Sequence, residues 1–371
     1  MVTQRSGPAN VPLPSPFPEG WYFVATRQAV LKSGLVQKTW MGVNVVIWCD
    51  RNGRACVAES VCPHLGSDLG PEAGGCVRDG LLICPFHGYE FDTTGQCVAT
   101  PYAEAPRTAK LRTFETHEIN GLIFAWWGIG GREPQWRLPE KAPDQVGWCD
   151  FKVNTLRFPG HPQETTENSV DMAHLRYVHG YDNVNPVQEV SVDGHLLEAQ
   201  FDFKRVRTIA RFASLTLDVS AHAHIYGLGY SYVEVREHSI GMDMRLWVLA
   251  TPVDGKLIDL TLVSQAREIR KPRRRIIGLG LFPVSWRAPL INRFMAAQQR
   301  DDVLQDVVIW SRKQYVSRPR LCRSDGKIMP FRYYCAQFYP DPSEGENTPP
   351  PQLRSSFRGS TAPFETTTAR R

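Results

Sequence analysis

Two Cys–His pairs constrain this chain more than anything else in it. In the stretch Val61–Asp92, VCPHLGSDLGPEAGGCVRDGLLICPFHGYEFD, Cys62 and His64 lie two apart and Cys84 and His87 three apart, with 19 residues between the pairs. A Cys-x-His and a Cys-x-x-His on neighbouring loops can each wrap one metal-facing turn. Two thiolates and two imidazoles suit a tetrahedral zinc. They also suit a 2Fe–2S cluster with both thiolates on one iron and both imidazoles on the other. Three details favour the cluster. Glycine follows each pair closely (Gly66, Gly88), so the backbone can turn tightly over sulfide and donate N–H bonds. Each pair encloses a proline (Pro63, Pro85), which stiffens its loop. The setting is β-rich, whereas many zinc modules are short and carry a helix.

This stretch resembles the Rieske domain in ligand types, in spacing and in the adjacent glycines. The resemblance implies that Cys62 and Cys84 bind one iron of the cluster and His64 and His87 the other. Respiratory-chain Rieske proteins carry a further Cys in each loop, joined as a disulfide. The matching positions here are Ser67 and Phe86, so that bridge is missing, as in the Rieske proteins of soluble oxygenases. The other cysteines (Cys49, Cys56, Cys76, Cys97, Cys149, Cys322 and Cys335) are expected to be buried free thiols.

A Rieske cluster passes single electrons, so the rest of the chain should hold what consumes them. In ETTENSVDMAHLRYVHGYDN, Glu164–Asn183, Asp171 lies three residues before His174, which puts both on one helical face. His179 follows five residues after His174, a poor helical spacing, so the helix must distort or end there. Gly180 is a suitable terminator. Two imidazoles and a carboxylate on one face of an iron leave positions open for dioxygen. The carboxylate could also come from Asp301, Asp302 or Asp306 in QQRDDVLQDVVIWSRK; Asp302 and Asp306 are one turn apart, and spacing alone does not choose between them.

The combination resembles the Rieske non-heme iron oxygenases over about residues 18–340. That resemblance implies that Asp171 is no ligand. It would instead bridge a Rieske histidine of a neighbouring subunit to an iron-binding histidine and carry the electron path. Asn168 would be a polar neighbour of the iron. The run QDVVIWSRKQY with the ending RPRLCRSDGKIMPFRYYCAQFYP is similar to the C-terminal part of 3-ketosteroid 9α-hydroxylase oxygenases and of aminopyrrolnitrin oxygenase. There the Asp before an apolar-Trp run is the ligand, which selects Asp306 beside His174 and His179. The implied cofactors are one 2Fe–2S cluster and one Fe2+ per subunit. The implied assembly is a homotrimer.

Texture along the chain gives the organisation. Residues 1–18 and 341–371, rich in Pro, Ser and Thr, are expected to be disordered. Residues 19–135 carry short β-rich runs (WYFVA, VNVVIWC, LIFAWW) between Gly and Asp turns, a small all-β Rieske domain. Residues 149–340 begin with a helix-like stretch, Glu164–Val178. Long strands follow (LLEAQFDFKRVRTI, YSYVEVREH, MRLWVLATPV, LIDLTLVSQA), then a helix from about Arg287 to Tyr315. That mix reads as α+β: an antiparallel sheet with helices, helix-grip-like. The boundary falls in GREPQWRLPEKAPDQVGW.

The expected function is that of a terminal oxygenase, monooxygenating or desaturating a hydrophobic, polycyclic or steroid-like small molecule. A biosynthetic oxygenase of an arylamine or alkyl-pyrrole is the alternative within the class, and a Rieske electron carrier is the alternative outside it. No G-x-G-x-x-G after a strand and no P-loop appears, so electrons must arrive from a separate NAD(P)H-dependent flavin reductase, directly or through a ferredoxin. A formal net charge of +5 gives no ground for a nucleic-acid partner. No apolar run is long enough to span a bilayer and no signal peptide is evident, so a cytoplasmic location is expected. The basic run REIRKPRRR, Arg267–Arg275, reads as a solvated turn, or else as a docking patch for an acidic redox partner.

Overall fold

Strand runs such as GWYFVAT and LIFAWW carry apolar side chains at successive positions, which a strand tolerates only when both its faces are covered. The computed structural model describes residues 15–140, 146–210, 213–239, 241–270, 274–322 and 325–340. Its N-terminal half is β1 (Gly20–Thr26), α1 (Arg27–Ser33), β2 (Leu35–Trp40), β3 (Val43–Cys49), β4 (Ala55–Glu59), β5 (Cys76–Arg78), β6 (Leu81–Ile83), β7 (Glu90–Phe91), β8 (Cys97–Ala99), β9 (Thr113–Phe114), β10 (Thr116–Ile119) and β11 (Leu122–Trp127). These form three small antiparallel sheets, ordered β1-β11-β10, β2-β3-β4-β9 and β5-β6-β7-β8.

The C-terminal half is β12 (Lys152–Pro159), α2 (Pro162–Thr166), α3 (Met172–Tyr177), β13 (Asp182–Pro186), β14 (Ser191–Asp193), β15 (Leu196–Ala210), β16 (Ala213–Tyr226), β17 (Tyr230–Glu237), β18 (Met242–Pro252), β19 (Leu257–Ala266), α4 (Val284–Trp310) and α5 (Ile328–Ala336). One eight-stranded antiparallel sheet, β12-β19-β18-β17-β16-β15-β13 with β14 also on β15, carries the helices. The α+β expectation holds.

The doubly covered strands join the halves. Tyr22 and Val24 of β1, with Ile123, Ala125 and Trp127 of β11, point into the core of the small domain. Their alternates Trp21, Phe23, Phe124 and Trp126 pack on Tyr230, Trp247, Leu249 and Val263 of the large sheet. Successive side chains of a strand point opposite ways, so one run feeds both cores. The segment expected as a linker is partly drawn into this packing. Trp136 stacks on His195 at 5.2 Å, and its carbonyl accepts the Trp21 indole N–H at 2.9 Å.

Helix α4 lies against β12 and β19. Asn292 donates to the Ser264 carbonyl at 3.0 Å, and Trp310 stacks on Phe158 with ring centroids 5.9 Å apart. It starts and ends earlier than the expected Arg287–Tyr315. The expected helix over Glu164–Val178 is broken into α2, a 3-10 turn at Glu167–Ser169 and α3. The break has a local cause: the Asp171 carboxylate takes the N–H groups of Ala173 and His174 and so begins a new helix. Within the stretch expected to be a disordered N-terminus, Ser15–Pro18 are packed. Phe17 lies 5.9 Å from the Trp127 ring, and Pro18 O accepts from the Tyr22 hydroxyl at 2.9 Å. The rest of that stretch and the expected tail, residues 341–371, lie outside the described residues. So do residues 271–273 of the basic run, where Arg270 pairs with Glu268 at 3.1 Å.

Candidate metal centres

The first site grows from two loops of near-identical construction. One follows β4, and the other links β6 to β7. In each, the glycine four residues after the Cys donates its N–H to that Cys carbonyl: Gly66 to Cys62 at 2.9 Å and Gly88 to Cys84 at 3.0 Å. The Cys N–H then closes the loop, Cys62 onto Ser67 O at 2.8 Å and Cys84 onto Tyr89 O at 2.9 Å. Both glycines are left-handed, φ +78° and +68°, a conformation L side chains resist. Gly66→Ala is expected to cost about 1–2 kcal/mol from backbone strain alone. Gly88→Ala should cost more, because a Cβ there would sit 2.6 Å from Cγ of the Pro101 ring. Thermal unfolding of the two cluster-loaded variants checks the order.

The loops gather all four expected side chains. Cys62 and Cys84 are buried, 1% and 2% exposed, in the same core cluster. Burial pushes the Cys62 thiol up to about 11. The rings of His64 and His87 meet edge to face at 4.7 Å, and Tyr89 stacks on His64 at 4.5 Å. His87 Nδ1 is buried without a hydrogen-bond partner. Two facing buried thiols and an orphaned imidazole nitrogen are costly as they stand and fit the ligand set of a histidine-ligated 2Fe–2S cluster. The tips, Leu65 and Phe86, are exposed apolar side chains.

The second site forms where α3 ends. The five-residue gap between His174 and His179 works because the helix stops between them. Val178 N–H still bonds His174 O at 2.7 Å, then Gly180 turns at φ +64° and Tyr181 N–H reaches back to Leu175 O at 3.1 Å. His179 is thereby swung back toward His174, ring centroids 5.3 Å apart. From α4, Asp306 brings its Oδ2 within 3.3 Å of His179 Nε2. One ligand atom from each of His174, His179 and Asp306 lies within 4.8 Å of the others.

The neighbours set the tautomers. His174 Nδ1 bonds the Asp171 carbonyl oxygen, and His179 Nδ1 bonds Gln305 Oε1 at 3.3 Å. Each ring therefore donates from Nδ1 and keeps Nε2 for a metal, the outer-shell arrangement that orients imidazole ligands. Burial lowers the pKa of His174, only partly offset by the Asp171 carbonyl. Burial would lower His179 too, but the Asp306 carboxylate outweighs it and holds this group above its ordinary value. Two imidazoles and one carboxylate, with no further His, Cys, Asp or Glu grouped with them among the described residues, fit a ferrous ion of the facial-triad type.

Asp302, the competing carboxylate, is occupied elsewhere: it accepts from the Tyr181 hydroxyl at 2.9 Å and lies 3.7 Å from Arg205. Asp301 is exposed. Asn168 sits half-buried on the 3-10 turn, outside the trio. Asp171 caps α3. Gln305 and Tyr181 went unforeseen, although Gln305 is the immediate neighbour of Asp306 on α4. Of the cysteines expected to be buried, Cys56, Cys97 and Cys335 are; Cys49 and Cys149 are half-buried, and Cys76 and Cys322 are exposed. The last two lie on a short β-arm and in the loop before α5, where no core reaches them.

Comparison with known proteins assigns both halves of the chain to known families. Residues 20–115 match the family described as Rieske [2Fe-2S] domain, and residues 125–339 match the 3-ketosteroid 9α-hydroxylase C-terminal domain. Cholesterol 7-desaturase nvd 1 of Ciona intestinalis is 28% identical over 92% of this chain and 72% of its own length. A 3-ketosteroid-9-alpha-monooxygenase oxygenase component of Rhodococcus rhodochrous is 26% identical over 88% and 83%. Dicamba monooxygenase bound to dicamba shares the fold, with a TM-score of 0.63 at 18% identity over 86% of this chain and 96% of that one. Pseudomonas putida CBB5 NdmA with caffeine does so at 0.63 and 16%, over 85% and 89%. With more than half its length matched by one family and a Rieske domain in front of it, the chain belongs to the 3-ketosteroid 9α-hydroxylase family of Rieske oxygenases.

Proposed function

We propose that this chain is the terminal oxygenase of a multicomponent system, which hydroxylates or desaturates a steroid-like hydrophobic substrate. The observation that carries the reading is the convergence of His174, His179 and Asp306 beside an apolar wall, in a chain that also presents the Rieske ligand set. That wall is formed by Tyr181, Phe203, Val219, Met242, Met244 and Leu279, between one face of the sheet and α4. An electron carrier would need no such triad.

When bound, the 2Fe–2S cluster and Fe2+ supply single-electron transfer and the activation of dioxygen. The protein's part is positional. Cys62, Cys84, His64 and His87 hold the cluster, and His174, His179 and Asp306 hold the iron. Gln305 and the Asp171 carbonyl fix the imidazoles by their outer N–H groups. The apolar cluster around Tyr181 and Phe203 packs beside His179, surroundings that support a hydrophobic substrate. Asp302, one turn before Asp306 on α4, is committed to the Tyr181 hydroxyl.

Electrons come from a separate NAD(P)H-dependent flavin reductase, directly or through a ferredoxin; the Rhodococcus relative is itself named as an oxygenase component. A homotrimer is the assembly we infer, with the Rieske loops of one subunit facing Asp171 of the next. Exposed Leu65 and Phe86 on the loop tips support a protein surface there. No helix among the described residues is long and apolar enough to cross a membrane.

The test is turnover. With both cofactors loaded, a flavin reductase and NADH, a panel of ketosteroids and sterols should yield a product that has gained one oxygen or lost two hydrogens by mass spectrometry. Oxidation of arylamines or alkyl-pyrroles with none of any steroid overturns the substrate class; no oxidation of either, at full iron content, overturns the oxygenase reading.

A further inference from the structure

A second grouping of metal-ligating side chains lies on the opposite face of the large sheet. Along β16, Ala221 joins the apolar core beside Tyr181 and Phe203, so its neighbours His222 and His224 point the other way. Glu198 of β15 stands directly across from His224, and Glu234 of β17 directly across from His222. Glu198 Oε1 lies 3.3 Å from His222 Nε2 and 3.0 Å from His224 Nδ1. The two imidazole rings are 4.0 Å apart, centre to centre. His224 Nε2 is 3.4 Å from Glu234 Oε2.

These contacts leave the cluster short of hydrogen bonds. His222 Nε2 and His224 Nε2 are both buried without a well-aligned partner, despite carboxylate oxygens within ion-pairing reach. Around a tetrahedral zinc with bonds of 2.0–2.2 Å, neighbouring ligand atoms sit about 3.3 Å apart. The distances from Glu198 to the two imidazole nitrogens match that spacing. We propose that Glu198, His222 and His224 form a second metal site, separate from the iron centre, that takes a borderline divalent cation, zinc above all, through Glu198 Oε1, His222 Nε2 and His224 Nδ1.

Glu234 is then the outer carboxylate that accepts the remaining N–H of His224 and sets its tautomer. A cavity of about 440 Å³ adjoins the cluster, with His222 and Glu234 in its lining beside Gln200, Ser220, Trp148 and Arg267. A ligand on three positions of two adjacent strands would tie β15 to β16.

The experiment uses the full chain loaded with its cluster and Fe2+. After equilibration with micromolar zinc chloride and desalting, elemental analysis should find about one zinc per chain with the iron content unchanged. The double variant His222→Ala/His224→Ala should lose that zinc by 10-fold or more and keep its iron. Glu198→Gln, which preserves shape and hydrogen bonding, should weaken zinc binding without unfolding the protein. Zinc should raise the melting temperature of the unmodified chain and leave that of the double variant unmoved. The proposal falls if the unmodified chain retains no zinc, if zinc enters only as iron leaves, or if zinc content is the same in the unmodified chain and both variants.

Discussion

Asp306→Ala is expected to reduce bound iron from about three to about two atoms per chain and to lower oxygenase turnover more than about 100-fold, with the visible spectrum of the 2Fe–2S cluster intact. The argument rests on what Asp306 faces. Its carboxylate is 6% exposed and supplies the anion of a trio whose other members are neutral imidazoles. Without it, two nitrogen ligands remain to hold a ferrous ion against water. The substitution has a second readout that needs no metal. In the metal-free protein, Asp306 outweighs the burial of His179 and raises its pKa. Removing the carboxylate leaves desolvation in charge, so His179 should titrate at lower pH than in the unmodified chain. Proton NMR of the ring measures this. Asp302→Asn is the matched contrast: Asn still accepts from Tyr181, so iron content and turnover should stay within a few-fold. Iron lost in Asp302→Asn and kept in Asp306→Ala would reverse the assignment.

That choice between two acids one turn apart marks where the sequence stops being readable. Strands were legible because period-two alternation and doubly apolar runs are local: LIDLTLVSQA is β19 from end to end. The Cys–His pairs were legible because ligand type, spacing and glycine lie within one short stretch. Asp302 and Asp306 are both buried on the same helix, and only the tertiary partners, Tyr181 with Arg205 for one and His179 for the other, tell them apart. The broken helix at Glu164–Val178 was misread because its residues are acceptable helix formers. What divides it is a capping carboxylate at Asp171, visible in retrospect as an Asp just before MAHLRY. Helix α5 was missed although Ile328, Phe331, Tyr334 and Cys335 give it a buried stripe at helical spacing; Pro330 in its first turn obscured the pattern.

Asp171→Asn separates the two things Asp171 can do. Its carboxylate caps α3 through the N–H groups of Ala173 and His174, at 3.1 and 3.2 Å, and its carbonyl holds the His174 ring. If capping were its whole contribution, Asn would serve nearly as well, since Asn and Asp are comparable N-caps, whereas Ala would cost about 1 kcal/mol. If the negative charge links this helix to a Rieske histidine of a neighbouring subunit, Asn should fail where it matters. The expected result is a variant with unchanged melting temperature, unchanged iron content and an unaltered cluster spectrum. Its turnover should nevertheless fall by roughly 10–100-fold, the usual effect of losing an outer-shell partner of a metal ligand. The decisive measurement is a single turnover started from the reduced cluster, which isolates electron arrival at the iron from reductase docking. A slow single turnover with normal reduction of the cluster by the reductase puts the defect between the two metal sites. Turnover within a few-fold of the unmodified chain would confine Asp171 to capping and leave the path between subunits to other atoms.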